Sequence, residues 1–383
     1  MHILVIPKWY TGRNDPQLGD FVRKQALAVA RQHKVSVVFA VPLPGLAVAE
    51  EQELSEVDGA WELRCYYRPS TASIGPWRKL INLRRYWRAS WNGLQRVFRE
   101  RGVPDLTHVH ILVRPALVAW WLKRTQGIPY ILSEQSSEYL DGTWQAKGPL
   151  FKTINRWLFR NAAAMTAVST HLGDAMKALG LTTDCRVVPN VVPGTELPLP
   201  PPGDPRQFLV VADLVDRTKN VSGVLNALKM ARDHGHDLRL TVIGDGPDRA
   251  HLHSVAMALD LQQHVQWLGR MANADVLDVM GRTGAVIVNS NVETFSVVTG
   301  EALALGRPVI ATRCGGPEAF ITPGNGILVA PRSTDELCAA MINLATGVQR
   351  DPAAIRRTIV DRFSPISVCA TFQTIYQQVL AHG

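Results

Sequence analysis

The sequence predicts an α/β protein made of two Rossmann-like domains facing each other across a cleft. Three observations predict it. Short, continuous apolar runs alternate with longer amphipathic ones along the chain, the pattern of strands buried on both faces and of helices that cover them. A proline-rich stretch at 189–207 (PNVVPGTELPLPPPGDPRQ) divides that rhythm in two; seven of its nineteen residues are proline, which neither a helix nor a central strand tolerates. And 383 residues are too many for one comfortable core and suit two domains of ordinary size.

Taken in order, the first half offers strands at 2–6 (HILVI), 35–41 (VSVVFAV), 61–66 (WELRCY), 107–112 (THVHIL), 129–133 (PYILS), 163–168 (AAMTAV) and 185–188 (CRVV). Helical segments such as Phe21–His33 and Lys152–Asn161 lie between them, so the pattern is repeated β-α. These residues, 1–193, form the predicted first domain, and 194–207 a semi-rigid linker. The rhythm resumes with strands at 208–213, 238–243, 264–268, 284–290, 308–312 and 326–330, and helices at 220–234, 247–260, 273–282, 299–305 and 333–346. That predicts a second domain over 208–364. The tail, 365–383, reads as one more amphipathic helix, expected to cross back and pack on the first domain.

Composition excludes several classes. With 46% hydrophobic and 19% charged residues the chain is neither disordered nor a membrane-span protein. The opening MHILVIPKWY has an apolar run too short for a signal peptide. The five cysteines lack CxxC spacing, which predicts free thiols in a cytoplasmic protein, with neither a disulfide frame nor a zinc site. The net charge of +8 is concentrated in 77–101 (WRKLINLRRYWRASWNGLQRVFRER), which holds eight Lys/Arg and one Glu. Leu80, Leu83, Trp87, Trp91, Leu94 and Phe98 form one helical stripe there, with Gly93 as a possible break into two helices. Two readings stand: a core helix with a solvated basic face, or an interfacial helix on anionic lipid. No nucleic-acid module accompanies the charge.

The most informative stretch is 289–313, NSNVETFSVVTGEALALGRPVIATR. A buried strand ends at Ser290 and a helix follows, so backbone N–H groups and the positive helix end favour a phosphate there. Glu293 and Glu301, on the same loop and helix, would repel that phosphate and must contact something else. Carboxylates only accept hydrogen bonds, and vicinal sugar hydroxyls are suitable paired donors. An anion site flanked by two such carboxylates matches a nucleotide sugar.

This run, followed by CGGPE at 314–318, resembles the Glu-x7-Glu signature of family-4 glycosyltransferases, which have the GT-B fold and retain anomeric configuration. PQLGDFVRKQ, PDLTHVH, VVPN, DLVDRTKN, IGDGPDR and WLGR extend the resemblance, in the same order, over most of the chain. The resemblance implies that Glu301 binds the nucleotide ribose and Glu293 the transferred sugar. It places backbone amides around Phe295, Ser296 and Val297 on sugar and phosphate, Gly19 where the first domain's backbone approaches the donor phosphates, and Lys219 on the phosphate. His110 matches a histidine near the reaction centre. Where the family has an arginine on the pyrophosphate, this chain has Asp213; Arg217 is either its substitute or a surface charge. Glu134 and Gln135 replace a histidine-containing turn and are expected to face the cleft and orient an acceptor hydroxyl. Glu318 is either a further ligand contact or a structural residue at a helix start.

The sequence has no Asp-x-Asp, so a metal-independent reaction is expected, with no cofactor beyond a UDP- or GDP-sugar substrate. The expectation is a cytoplasmic retaining glycosyltransferase, peripheral on the membrane, acting on a glycan or lipid-linked acceptor in bacterial surface polysaccharide or glycolipid synthesis. The alternatives are a nucleotide-sugar epimerase on the same plan and a non-catalytic nucleotide-sugar- or glycan-binding protein.

Overall fold

The computed structural model describes residues 1–381. The chain divides into two compact units: unit 1 is Met1–Val191 with the C-terminal segment from Pro365, and unit 2 is Val192–Ser364.

Unit 1 is an eight-stranded sheet. Its strands are β1 (His2–Pro7), β2 (Lys34–Pro42), β3 (Glu50–Val57), β4 (Ala60–Tyr67), β5 (Leu106–His110), β6 (Tyr130–Glu134), β7 (Ala164–Ala167) and β8 (Arg186–Val187), in the spatial order β3-β4-β2-β1-β5-β6-β7-β8. All neighbours are parallel except β3 and β4, which form a hairpin. The apolar-run signal did not anticipate β3, because EEQELSEV is a polar edge strand exposed on alternate residues. Its trace in the sequence is the turn: Asp58 and Gly59 both have positive φ (46° and 81°), the two-residue loop that Asp-Gly favours between antiparallel strands.

The helices of unit 1 are α1 (Asp20–Ala30), α2 (Gly75–Arg101), α3 (Arg114–Gln126), α4 (Pro149–Asn161) and α5 (Thr170–Ala178). Helix α2 is a single run of 27 residues, so Gly93 does not break it. The glycine serves packing instead: a Cβ there would lie 2.8 Å from Cys65 Sγ and 2.9 Å from a Val38 methyl, so its absence lets α2 settle on β2 and β4. The face turned to the sheet carries Tyr86, Ala89, Ser90, Gly93 and Val97, small at its centre. The predicted stripe is therefore only half core. Leu94 is buried, whereas Leu80, Leu83 and Trp87 are 45%, 41% and 37% exposed. Gly93→Val is expected to lower stability by about 1–3 kcal/mol, since the added methyls must displace Cys65 and Val38. Urea unfolding measures it, and an unchanged midpoint would contradict the close packing.

Unit 2 is a six-stranded, all-parallel sheet of β9 (Asp204–Val211), β10 (Arg239–Ile243), β11 (Val265–Gly269), β12 (Thr283–Val288), β13 (Val309–Thr312) and β14 (Gly326–Val329), ordered β11-β10-β9-β12-β13-β14. Strand β9 begins at Asp204, inside the segment read as linker. The prolines before it are held by buried Arg307, which donates to the Gly281 carbonyl at 2.7 Å and to those of Pro200 and Pro201. Its helices are α6 (Asp216–Lys219), α7 (Val221–Asp233), α8 (Arg249–Ala258), α9 (Asn273–Met280), α10 (Val297–Ala304), α11 (Thr334–Thr346) and α12 (Pro352–Phe363). The core is the usual α/β sandwich, with Phe208, Leu240 and Ile287 of the sheet against Val224, Leu228 and Met341 of the helices.

The last helix, α13 (Pro365–Ala381), belongs to unit 1, as expected of the tail; residues 382 and 383 of the predicted helix lie outside the described residues. It packs on α1 and buries Val368, Phe372, Ile375 and Tyr376. The Tyr376 hydroxyl is 2.8 Å from His108 Nδ1 on β5. Among the described residues no helix is long and apolar enough to cross a membrane.

Candidate active site

Numbering the strands of unit 2 from β9, their order is 3-2-1-4-5-6, which reverses between β9 and β12. Ligands of open α/β sheets bind outside the carboxyl ends of the strands at such a reversal. The loops leaving these two strands carry Lys219 and Glu293.

The loop after β9 turns through α6 and is stitched to the loop after β12. The Asn291 N–H donates to the Thr218 carbonyl at 2.8 Å, Asn291 Nδ2 to the Arg217 carbonyl at 2.8 Å, and Asn289 Nδ2 to the Asn220 carbonyl at 2.9 Å. Asp216 fixes the start of α6: its N–H donates to Asp248 of the IGDGPDR segment, and its carboxylate accepts from the Ser222 amide and hydroxyl. These ties bring Lys219 Nζ to 2.5 Å from Glu293 Oε1, which also accepts from Ser290 Oγ at 2.8 Å. Burial acts to lower the Lys219 pKa, but Glu293 and, to a smaller degree, Asp213 outweigh it and hold it above the ordinary lysine value. Lys219 is thus a cation at neutral pH.

Ser296, which precedes α10, is left-handed at φ 73°, a strained conformation for a residue other than glycine, and its hydroxyl lies 2.7 Å from that of Thr299. Phe295 is buried against Phe320 and Phe363, so its ring anchors the loop and leaves only its backbone for a ligand. Helix α10 starts at Val297, two residues earlier than predicted, and this decides the reading of Glu301. It is the fifth residue of the helix, past the first turn where a carboxylate would merely complement the dipole, and it is 3% exposed. A buried carboxylate needs donors. Asn273 Nδ2 at the head of α9 supplies one at 2.8 Å. Neither Asn273 nor Ser290 was anticipated as a site residue; their only signal was position, after WLGR and at the end of the strand before Glu293.

Glu318 Oε2 accepts from the Gly315 N–H at 2.6 Å and so closes the Gly315-Gly316 turn, whose Gly316 N–H holds the Glu293 carbonyl at 2.9 Å. Of its two readings, the structure displays the structural one. Arg217 and Asp213 are exposed. The backbone carbonyl of Arg217 is tied to the Glu293 loop, and its side chain makes no hydrogen bond or ion pair among the described residues.

In unit 1, Gly19 precedes α1 at φ 67°, and a Cβ there would lie 2.3 Å from the Trp9 carbonyl oxygen, so no other residue lets these two backbones meet. His110 ends β5, buried beside the His108 ring, with Nδ1 lacking a hydrogen-bond partner. Burial pushes its pKa down to about 3, which keeps the imidazole neutral. The strand stops there, short of the predicted residue 112, because Ile111 adopts φ 64°, an outlier for a β-branched residue. Glu134 holds the next residue: its Oε1 accepts from the Leu112 N–H at 2.8 Å and from the Tyr139 hydroxyl at 3.2 Å, while Oε2 is buried without a partner. Gln135 Nε2 donates to Gln25 Oε1 at 3.0 Å. Both side chains, expected to be cleft-facing, are instead turned into unit 1, 1% and 6% exposed, because they bind its own backbone and α1.

Burial pushes the Glu134 pKa up to about 7, against the opposing pull of the Leu112 N–H and Lys8. A carboxyl raised on folding stabilises the native state below its unfolded pKa of about 4.3, and that contribution fades as pH rises through 7. Glu134→Gln is therefore expected to gain on the wild type between pH 4 and pH 8, by roughly 3 kcal/mol, read from urea midpoints. A difference independent of pH would show that Glu134 ionises without penalty.

Residues 198–355 match the family model of the glycosyl transferases group 1 and residues 18–191 that of a glycosyl transferase 4-like domain. The chain belongs to the GT4-type glycosyltransferases. This GT4-type chain is 26% identical to the glycogen synthase of Mycobacterium tuberculosis over 66% of its own length, and it spans 62% of that relative. It is 29% identical to the lipopolysaccharide 1,6-galactosyltransferase of Salmonella typhimurium over 51% of this chain and 56% of the relative. The structure of a lipopolysaccharide outer core galactosyltransferase, WaaB, superposes with a TM-score of 0.69 at 20% identity, covering 99% of this chain and 100% of that one. The GT4-type fold, GT-B with two parallel-sheet α/β units, is the one the Glu-x7-Glu resemblance implied.

Proposed function

We propose that the protein is a retaining glycosyltransferase that moves a sugar from a nucleotide diphosphate sugar to a hydroxyl of a glycan or lipid-linked acceptor. The observation that carries this is the protonated Lys219 bonded to Glu293 at the switch point of unit 2, with Glu301 buried on the helix that follows. Lys219 and the first N–H groups of α10 are set to take a diphosphate, and they stabilise the charge that develops on it as it leaves. Glu293 accepts from hydroxyls of the transferred sugar and Glu301 from the ribose. In unit 1 the neutral imidazole of His110 takes part as a hydrogen-bonding group, not as a cation.

In the reaction proposed, the acceptor hydroxyl attacks on the face the diphosphate leaves, through an oxocarbenium-like state, and the departing phosphate takes the hydroxyl proton. No metal enters this scheme. The test is calorimetry with UDP-, GDP-, dTDP- and ADP-sugars in EDTA, followed by transfer assays with the sugar that binds. Binding of none of them would overturn the reading, and a covalent sugar–protein adduct found by mass spectrometry would overturn the same-face mechanism. A setting in cell-surface polysaccharide or glycolipid synthesis fits the lipopolysaccharide enzyme among the relatives.

A cytoplasmic enzyme peripheral on anionic lipid is part of this reading. Leu80, Leu83 and Trp87, with Trp77 at 59% exposure, leave an apolar face on α2, and Arg84, Arg85 and Arg88 line the same groove as Leu83 and Trp87. Aromatic and aliphatic groups beside arginines suit a lipid interface. Flotation is expected with liposomes containing anionic lipid, to be reversed by salt, and to weaken at least tenfold in Trp77→Ser with Trp87→Ser. Equal flotation on neutral and anionic liposomes would contradict it.

A further inference from the structure

Unit 1 has a switch point of its own. Strand β1 lies between β2, which follows it in the chain, and β5, which the chain reaches from β4, so the strand order reverses there. At the carboxyl ends of these strands is a cavity of about 420 Å³, lined by Lys8 after β1, Tyr67 at the end of β4, Tyr86 of α2, Arg114 at the start of α3, and Glu138 and Lys147 from the segment before α4. It is lined by residues of unit 1 alone and holds none of the candidate site residues.

Its charge is not balanced. Three cations meet one carboxylate, and that carboxylate, Glu138, stands 3.9 Å from Lys147 Nζ. Neither Lys8 nor Arg114 has an ion-pair partner among the described residues; aromatic rings hold them, and Lys8 also acts on the buried Glu134 carboxyl, whose pKa burial pushes up to about 7. Lys8 lies 5.0 Å above the Trp9 ring, the Arg114 guanidinium 5.5 Å from the Tyr86 ring and beside the Tyr67 hydroxyl, and Lys147 Nζ 5.4 Å from the Phe151 ring. A ring face fixes a cation without neutralising it. Arg114 is also the first residue of α3, where the helix dipole disfavours a cation, and α4 opens beside the cavity with no acidic residue in its first turn. The field in the cavity therefore seeks an anion. The lining's two cations in excess match a dianion, and a single carboxylate would leave one of them unmet.

We infer that this cavity binds a phosphate or diphosphate group carried by the acceptor, its aromatic walls lying against the body that carries the phosphate. This rests on the glycosyltransferase reading and narrows the acceptor to an anionic one, either a soluble sugar phosphate or a lipid-linked diphosphate.

The test uses the full chain, calorimetry at low ionic strength, and two probes: glucose 1-phosphate for the soluble source and geranyl diphosphate for the lipid-linked one. The wild type is expected to bind one of them, and which one identifies the source. Arg114→Gln combined with Lys147→Gln is expected to weaken that binding at least tenfold while leaving nucleotide-sugar affinity unchanged. Both side chains reach solvent, so the variant should fold, and its melting temperature checks this. Lys219→Gln, the unit 2 control, should bind the probe as the wild type does. Undiminished binding by the double variant would overturn the inference, as would loss in Lys219→Gln alone, or a wild type that binds nucleotide sugar but neither probe. Probe binding lost in the double variant, from a wild type that binds no nucleotide sugar, would uphold the subsite and sink the donor reading.

Discussion

Glu301→Ala is expected to lower nucleotide-sugar affinity by about a hundredfold to ten-thousandfold, the largest binding effect expected of a single substitution in this chain. The carboxylate is 3% exposed and accepts a hydrogen bond from Asn273. Two charge-assisted hydrogen bonds to a ribose diol are worth roughly 1.5–3 kcal/mol each, and each 1.4 kcal/mol is tenfold. Glu301→Gln keeps one acceptor and replaces the other with a donor, so its loss should be intermediate. Asn273→Ala removes one of the bonds that orient the carboxylate and should cost about tenfold. Calorimetry against the sugar that binds the wild type decides, with melting temperatures as a check on folding. Wild-type affinity in Glu301→Ala would leave the buried carboxylate a purely structural role.

Lys219→Met is expected to lower kcat by about 10²–10³-fold, the scale seen when one preorganised group facing transition-state charge is removed. The free protein holds this cation on Glu293 at 2.5 Å, so donor binding must exchange one negative partner for another. Glu293→Gln should therefore act in two ways. It loses an acceptor for the sugar, which lowers kcat, and it releases Lys219 for the diphosphate, which tightens donor binding. The two substitutions share an interaction and will not add, so the double variant should be less impaired than the product of the single ones. Steady-state kinetics of all four proteins tests this. A pair with only structural work would shift the melting temperature and leave kcat where it was.

Much of the fold was legible because its strands are short apolar runs buried on both faces, a pattern that needs no knowledge of neighbours. Strand β3 escaped because an edge strand is polar, and only its Asp-Gly turn announced it. Helix α2 was found, but not its inward face. Spacing placed Leu80, Leu83, Trp87, Trp91, Leu94 and Phe98 on one stripe, whereas the sheet accepted the narrower ridge of Ala89, Ser90 and Gly93. Close approach of a helix to a sheet selects small residues, and apolar periodicity cannot rank them above tryptophan. The same limit applies to Glu134 and Gln135. Being polar at the end of a strand suggested that they face a ligand, and only tertiary structure showed their hydrogen bonds to Leu112 and Gln25.

By itself the sequence determined the α/β class, the strands of the second half, the tail helix and the two glutamates of 289–313, since each depends on residue type and local spacing. Tertiary structure decided the strand order that puts the β9 and β12 loops side by side, the bond between Lys219 and Glu293 across 74 positions of chain, the burial of Glu301 beside Asn273, and the gathering of Lys8, Arg114 and Lys147 around one cavity. These are contacts between distant segments. They arise when loops leaving different strands are pinned at one edge of a sheet, and no local pattern records which loops those are.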